Sequence, residues 1–93
     1  MTKRLRLPET IDEAVDLLLI QVPPSTREEI ASMSEDYLIW VHMDFGHYVR
    51  KDFGLYVGNV ALMEATDQQT ADDASWVIIE AMWRRLKTKP LHH

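Results

Sequence analysis

Gly46-His47-Tyr48-Val49-Arg50-Lys51-Asp52-Phe53-Gly54-Leu55-Tyr56-Val57-Gly58-Asn59 contains all three glycines of a 93-residue chain, and its reading decides the fold. Glycine serves where a backbone takes left-handed angles or where another group must approach closely. Gly46 lies inside an apolar helical pattern, where it costs roughly 1 kcal/mol relative to alanine. The simplest compensation is a second helix passing close at that point. Gly54 then stops the helix, Phe53, Leu55 and Tyr56 make an aromatic corner, and Gly58-Asn59 restarts the chain as a new helix. The only extended alternative, Leu55-Tyr56-Val57, is too short to found a sheet. The expected fold is all-α, a single compact domain over residues 1–93 with about five helices. The glycine-rich corner lies between the third and fourth, and residues 1–8 and 88–93 are expected as flexible tails.

Toward the amino end, the third helix is expected to start at Ser34-Glu35-Asp36, an N-cap followed by acids in the first turn, and to run to about Asp52. Before it, Ser25-Thr26-Arg27-Glu28 has the form of a capping box and predicts a short helix through Ile30, Ala31 and Met33. Thr10-Ile11-Asp12-Glu13 has the same form, with Glu13 expected to reach back to the Thr10 amide. Ile11, Val15, Leu18, Leu19 and Val22 follow at helical spacing until Pro23-Pro24 ends the run. Toward the carboxyl end, Asn59 caps a short helix through Val60, Leu62, Met63 and Ala65, with an exit at Asp67-Gln68-Gln69. Thr70-Ala71-Asp72-Asp73 opens the last helix. From Ala74 to Trp83 only Ser75 and Glu80 are polar, which makes this helix central; Arg84, Arg85 and Lys87 suit its end, and Pro90 stops it.

Composition narrows the class. There is no cysteine, so no disulfide framework or thiolate metal site supports the fold, and a reducing cytoplasm suits it. The apolar runs Leu17 to Ile20 and Leu38 to Val41 fall far short of the ~20 residues of a membrane span. The basic start Lys3, Arg4 and Arg6 is followed by Glu9, Asp12, Glu13 and Asp16 where a signal peptide needs an apolar core, so export is not expected. All fifteen acids lie between Glu9 and Trp83, with only Arg27, Arg50 and Lys51 among them. Such a body disfavours nucleic-acid backbones. The basic ends read as solvated tails and a helix terminus that favours cations.

Tyr48-Val49-Arg50-Lys51-Asp52-Phe53-Gly54-Leu55-Tyr56-Val57-Gly58-Asn59, then Asp72-Asp73-Ala74-Ser75, then Val77 to Leu86 resemble a family of small bacterial domains of unknown function. Its pattern is I-R-N-x-F-G-L-W-x-G-N, then P-D-D-A-S, then an apolar helix ending in Trp-x-x-Leu. The likeness runs from Thr10 to Leu86, with departures at Lys51, Tyr56 and Ala71. The resemblance implies one bacterial domain and supplies no reaction, substrate or cofactor.

Candidate chemistry is sparse. His42 and His47 are five residues apart, about 140° around a helix, and Asp44 with His47 makes only two ligands, so no metal site is assigned. A ligand or hydrolytic site at the corner would draw on His47, Arg50, Asn59, Asp72 and Asp73, with Ser75 nearby. The favoured reading of these groups is structural: the aspartates cap the last helix, Arg50 pairs with one of them, and Asn59 caps the fourth helix. No catalytic residue and no cofactor is assigned. Aromatic and methionine side chains exceed what so small a core needs; Trp76, Phe45 and Phe53 read as core, and Trp40, Met43, Tyr56 and Trp83 as interface candidates. The leading expectation is a non-enzymatic interaction module that self-associates through the third or last helix, with no nucleic-acid or membrane partner. The alternatives are a small ligand-binding or hydrolytic domain at the corner and an acidic inhibitor or immunity-type protein that occupies a basic partner.

Overall fold

Thr10 opens helix α1 (Ile11–Gln21), its hydroxyl accepting from the Glu13 amide at 3.1 Å. Glu13 reaches back one residue further than a capping box requires, accepting from the Glu9 amide at 2.9 Å. The structure, a computed structural model, describes residues 7–88. Helix α2 (Pro24–Ser32) begins one residue before the predicted Ser25 box, with Pro23 at its N-cap. Proline fits the first helical position because it has no amide to leave unpaired and its φ is already helical. A single 3₁₀ turn, Glu35–Tyr37, then precedes α3 (Leu38–Asp52), so the predicted start at Ser34 is a tighter turn whose serine makes no side-chain cap. Helices α4 (Val60–Thr66) and α5 (Ala71–Thr88) complete the all-α fold. The predicted stop at Pro90 and the basic residues Lys3, Arg4, Arg6 and Lys89 lie outside the described residues.

Helix α5 is the wall on which α1, α2, α3 and α4 all pack. Ala74, Ser75, Ile78, Ile79 and Met82 on it are wholly buried, against Ala14, Val15 and Leu18 of α1, Ile30 of α2, Val41 and Val49 of α3 and Leu62 of α4 in one continuous core. Its carboxyl-terminal half also closes the ends of neighbouring helices. Trp83 Nε1 donates to the Met33 carbonyl at 3.0 Å and Lys87 Nζ to the Ala31 carbonyl at 3.0 Å, which supplies two acceptors at the end of α2 with donors. Arg85 pairs with Asp12 and Asp16 of α1.

The corner is built as its glycines predict. The Leu55 amide donates to the Arg50 carbonyl at 3.0 Å and the Gly54 amide to the Lys51 carbonyl at 3.3 Å, the paired bonds that close a helix through a left-handed residue. Gly54 supplies that residue, with φ 77°. A β-carbon there would also lie 3.1 Å from Leu7 and 3.2 Å from the Asn59 side chain. Asn59 locks the return. Its Oδ1 accepts from the Leu62 amide at 3.1 Å, and its Nδ2 donates to the carbonyls of Phe53 (2.7 Å) and Pro8 (2.8 Å). Pro8, expected in a tail, is thereby buried against the corner, and Thr88, expected in the other, is helical.

Losing the Asn59 amide removes a cap and strands two buried carbonyls, at about 1 kcal/mol for the cap and 1–3 kcal/mol for each unpaired acceptor. Asn59→Ala is expected to lower the unfolding free energy in urea by roughly 3–7 kcal/mol. Asn59→Asp keeps the cap acceptor yet turns a carboxylate toward both carbonyls, and is expected to cost at least as much. If it matched wild type, the two donated bonds would not be what holds the corner.

Candidate functional site

His42, Gly46 and Arg50 recur one helical turn apart on α3 and face the first turns of α5. A β-carbon on Gly46 would stand 2.8 Å from Arg50 Nη1 and 3.2 Å from the His42 ring. The nearest occupants of the notch at Gly46 are therefore two side chains of its own helix. Without a β-carbon between them, the imidazole and the guanidinium can lie along the helix surface and reach α5 together.

They converge on Ser75, a wholly buried hydroxyl. Ser75 Oγ donates to the Asp72 carbonyl at 2.8 Å and lies 2.9 Å from His42 Nε2 and 3.3 Å from Arg50 Nη1. A hydroxyl has one proton to give, and here it is given to the backbone. In the tautomer that carries the imidazole proton on Nε2, the histidine and the arginine are the donors to Ser75. Arg50 Nη1 also lies 3.4 Å from Asp72 Oδ1, and Arg50 Nε donates to the Tyr56 hydroxyl at 3.0 Å. The His42 ring stacks on Trp76, with centroids 4.4 Å apart and planes 12° from parallel. Burial holds the His42 pKa below its ordinary value; the nearby Asp72 carboxylate, 3.8 Å away, opposes that shift, and the Arg50 cation adds to it.

Serine, histidine and aspartate meet here, but not in the order that activates a nucleophile. Both Ser75 and Asp72 address the same ring nitrogen, Nε2, whereas a relay needs the base nitrogen facing the hydroxyl and the other nitrogen facing the acid. The cluster is a saturated polar seam between two helices.

Of the five residues nominated for a corner site, Arg50 and Asp72 meet. Asn59 spends its amide on the backbone. Asp73 is exposed, and its backbone amide donates to Thr70 Oγ1 at 3.1 Å. Thr70, not either aspartate, thus caps α5, because a residue at the N-cap projects its oxygen back over the free amides while residues inside the first turn project away from them. His47 is exposed and leans on Tyr56, with ring centroids 6.4 Å apart. His42, weighed from sequence only as a metal ligand, and Ser75, named only as near the corner residues, belong to the seam; the spacing of His42, Gly46 and Arg50 was the available signal.

A groove of about 580 Å³ runs along the corner and α4, lined by Tyr56, Val57, Asn59, Val60 and Met63 with Glu64, Asp67, Gln68 and Gln69 on its polar side. Arg50, Asp72, Asp73 and His47 lie outside it. Among the described residues no three His, Asp or Glu side chains gather as a metal would need, and no helix is long and apolar enough to cross a membrane. Trp40, Met43 and Tyr56 are 60%, 66% and 57% exposed, next to exposed Tyr37 and Ile39. Trp83 is half-buried, its indole N–H bonded to α2 and its ring 5.3 Å from the Lys87 ammonium.

Residues 7–86 match the family described as a domain of unknown function, DUF6794, and the chain belongs to that family. No curated protein and no solved structure matches the chain.

The seam has a pH signature. A histidine held neutral by the fold binds fewer protons than the unfolded chain below its ordinary value of 6.5, so acid favours unfolding through this group. Its contribution is complete above 6.5 and declines as pH falls below it. Urea titrations at a series of pH values are expected to show wild type losing more stability over that interval than His42→Gln does. Parallel pH curves for the two proteins would contradict the assignment.

Proposed function

We propose that this member of the family is a non-enzymatic protein–protein interaction module that self-associates through the outward face of α3. The observation that supports this reading is the exposure of Trp40 and Met43 side by side on a helix whose other face is fully engaged with α5. A buried tryptophan removes about 150–250 Å² from water. Covering the part of Trp40 that remains exposed is worth roughly 3 kcal/mol at ~25 cal/mol per Å². Trp76 and Trp83 offer no such gain, since one is stacked on His42 and the other is bonded to α2. The saturated state of the polar seam supports the non-enzymatic half of the reading: a hydroxyl with no solvent exposure and a committed proton has nothing to give a substrate. The corner groove weighs less toward a small ligand, because the charged pair Arg50 and Asp72 stands outside it.

Sedimentation velocity from about 10 μM to about 1 mM, the range in which a modest apolar patch associates, tests the reading. The mass is expected to rise with concentration from 10.9 kDa toward a dimer. Trp40→Lys with Met43→Lys is expected to stay monomeric with an unchanged urea midpoint, because neither side chain supports the core. A wild-type mass that never leaves the monomer value would refute self-association.

A further inference from the structure

On the reading that the outward face of α3 self-associates, we infer that two copies pair through α3 in antiparallel fashion, about a twofold axis that passes between Met43 and Asp44. Three features of the helix support this. The first is spacing: Trp40, Met43 and His47 follow one another at intervals of three and four, the pattern of a helix–helix seam, and together with Lys51 they fall within roughly 80° of arc at about 100° per residue. All four are exposed.

The second is charge. The amino end of the helix is preceded by exposed Asp36 in the 3₁₀ turn, and its carboxyl end carries exposed Lys51. About the stated axis, Asp36 of one copy faces Lys51 of the other, twice, and Trp40 faces His47. A parallel pair would set Asp36 on Asp36 and Lys51 on Lys51, and would align the helix dipoles unfavourably. Among the described residues Lys51 pairs only with the adjacent Asp52 at 4.0 Å, a weak exposed contact that leaves the ammonium available.

The third is continuity. Tyr56 rests beside His47, so in the antiparallel pair it flanks Trp40 of the second copy and widens a single helix contact into an aromatic cluster. A twofold axis makes the surface complementary to itself, as closed dimers require. A face 15 residues long spans about 22 Å. That buries less than the roughly 1,200 Å² of a standard stable interface, so a weak and reversible dimer is the expected product.

Because the chain has no cysteine, oxidative cross-linking reports the arrangement directly. Met43→Cys, beside the axis, is expected to form a disulfide-linked dimer. Asp36→Cys alone and Lys51→Cys alone are expected to form no disulfide link, since each position lies about 22 Å along the helix from its own copy, while the double variant cross-links. Both end variants keep Trp40 and Met43, so loss of the apolar contact cannot account for a negative result. Cross-linking of each end variant by itself would overturn the antiparallel pairing in favour of a parallel one. A concentration-dependent dimer that links at none of these positions would overturn the α3 pairing while leaving self-association standing; an uncross-linked wild type that is monomeric at every concentration would remove both.

Discussion

Every other helix of this domain leans on α5, and that constraint shapes the rest. A helix that is apolar on most of its circumference is stable in water only when several neighbours cover it, and α1, α2, α3 and α4 do so around Ala74, Ile78, Ile79 and Met82. Four neighbours around one axis leave little chance for the neighbours to cover each other. Helix α3 gives Leu38, Val41 and Val49 to the core, and among the described residues Trp40, Met43 and Ile39 on its other side remain exposed. The apolar surface outside the fold is thus a consequence of how the inside is satisfied.

The α3–α5 contact is not purely apolar, and the exception fixes its register. A buried polar group is costly unless bonded. Ser75 in the middle of the contact bonds to the Asp72 carbonyl of its own helix, and it meets His42 and Arg50 as well only when both arrive at one height along α5. Gly46 lets both side chains lie flat, and Arg50 extends the same network to Tyr56 at the corner. A slide of one turn would take the imidazole and the guanidinium away from the Ser75 hydroxyl together. Charged and polar residues near the corner therefore tie helix ends and helix faces to each other.

Much of this could be read from the chain and some could not, for identifiable reasons. Local signals were sound: Thr10 caps α1, Asn59 caps α4, Gly54 ends α3, and Pro23-Pro24 separates α1 from α2, because each acts on atoms within a few residues. Non-local partners were hidden. Nothing near Asn59 indicates that its amide also holds Pro8, 51 positions away, or that the space at Gly46 belongs to His42 and Arg50. The four interface candidates divide for the same reason: Trp83 looks as free as Trp40 in sequence, yet the end of α2 needs a hydrogen-bond donor and takes its indole.

That division gives the account its most direct test. The three tryptophans should give three indole N–H signals in a ¹⁵N–¹H spectrum recorded over a dilution series. The Trp83 signal is expected to exchange slowly with solvent and stay fixed, while the Trp40 signal exchanges fast when dilute and shifts as concentration rises. A Trp40 indole as protected as that of Trp83, and unmoved by dilution, would contradict an uncovered α3 face.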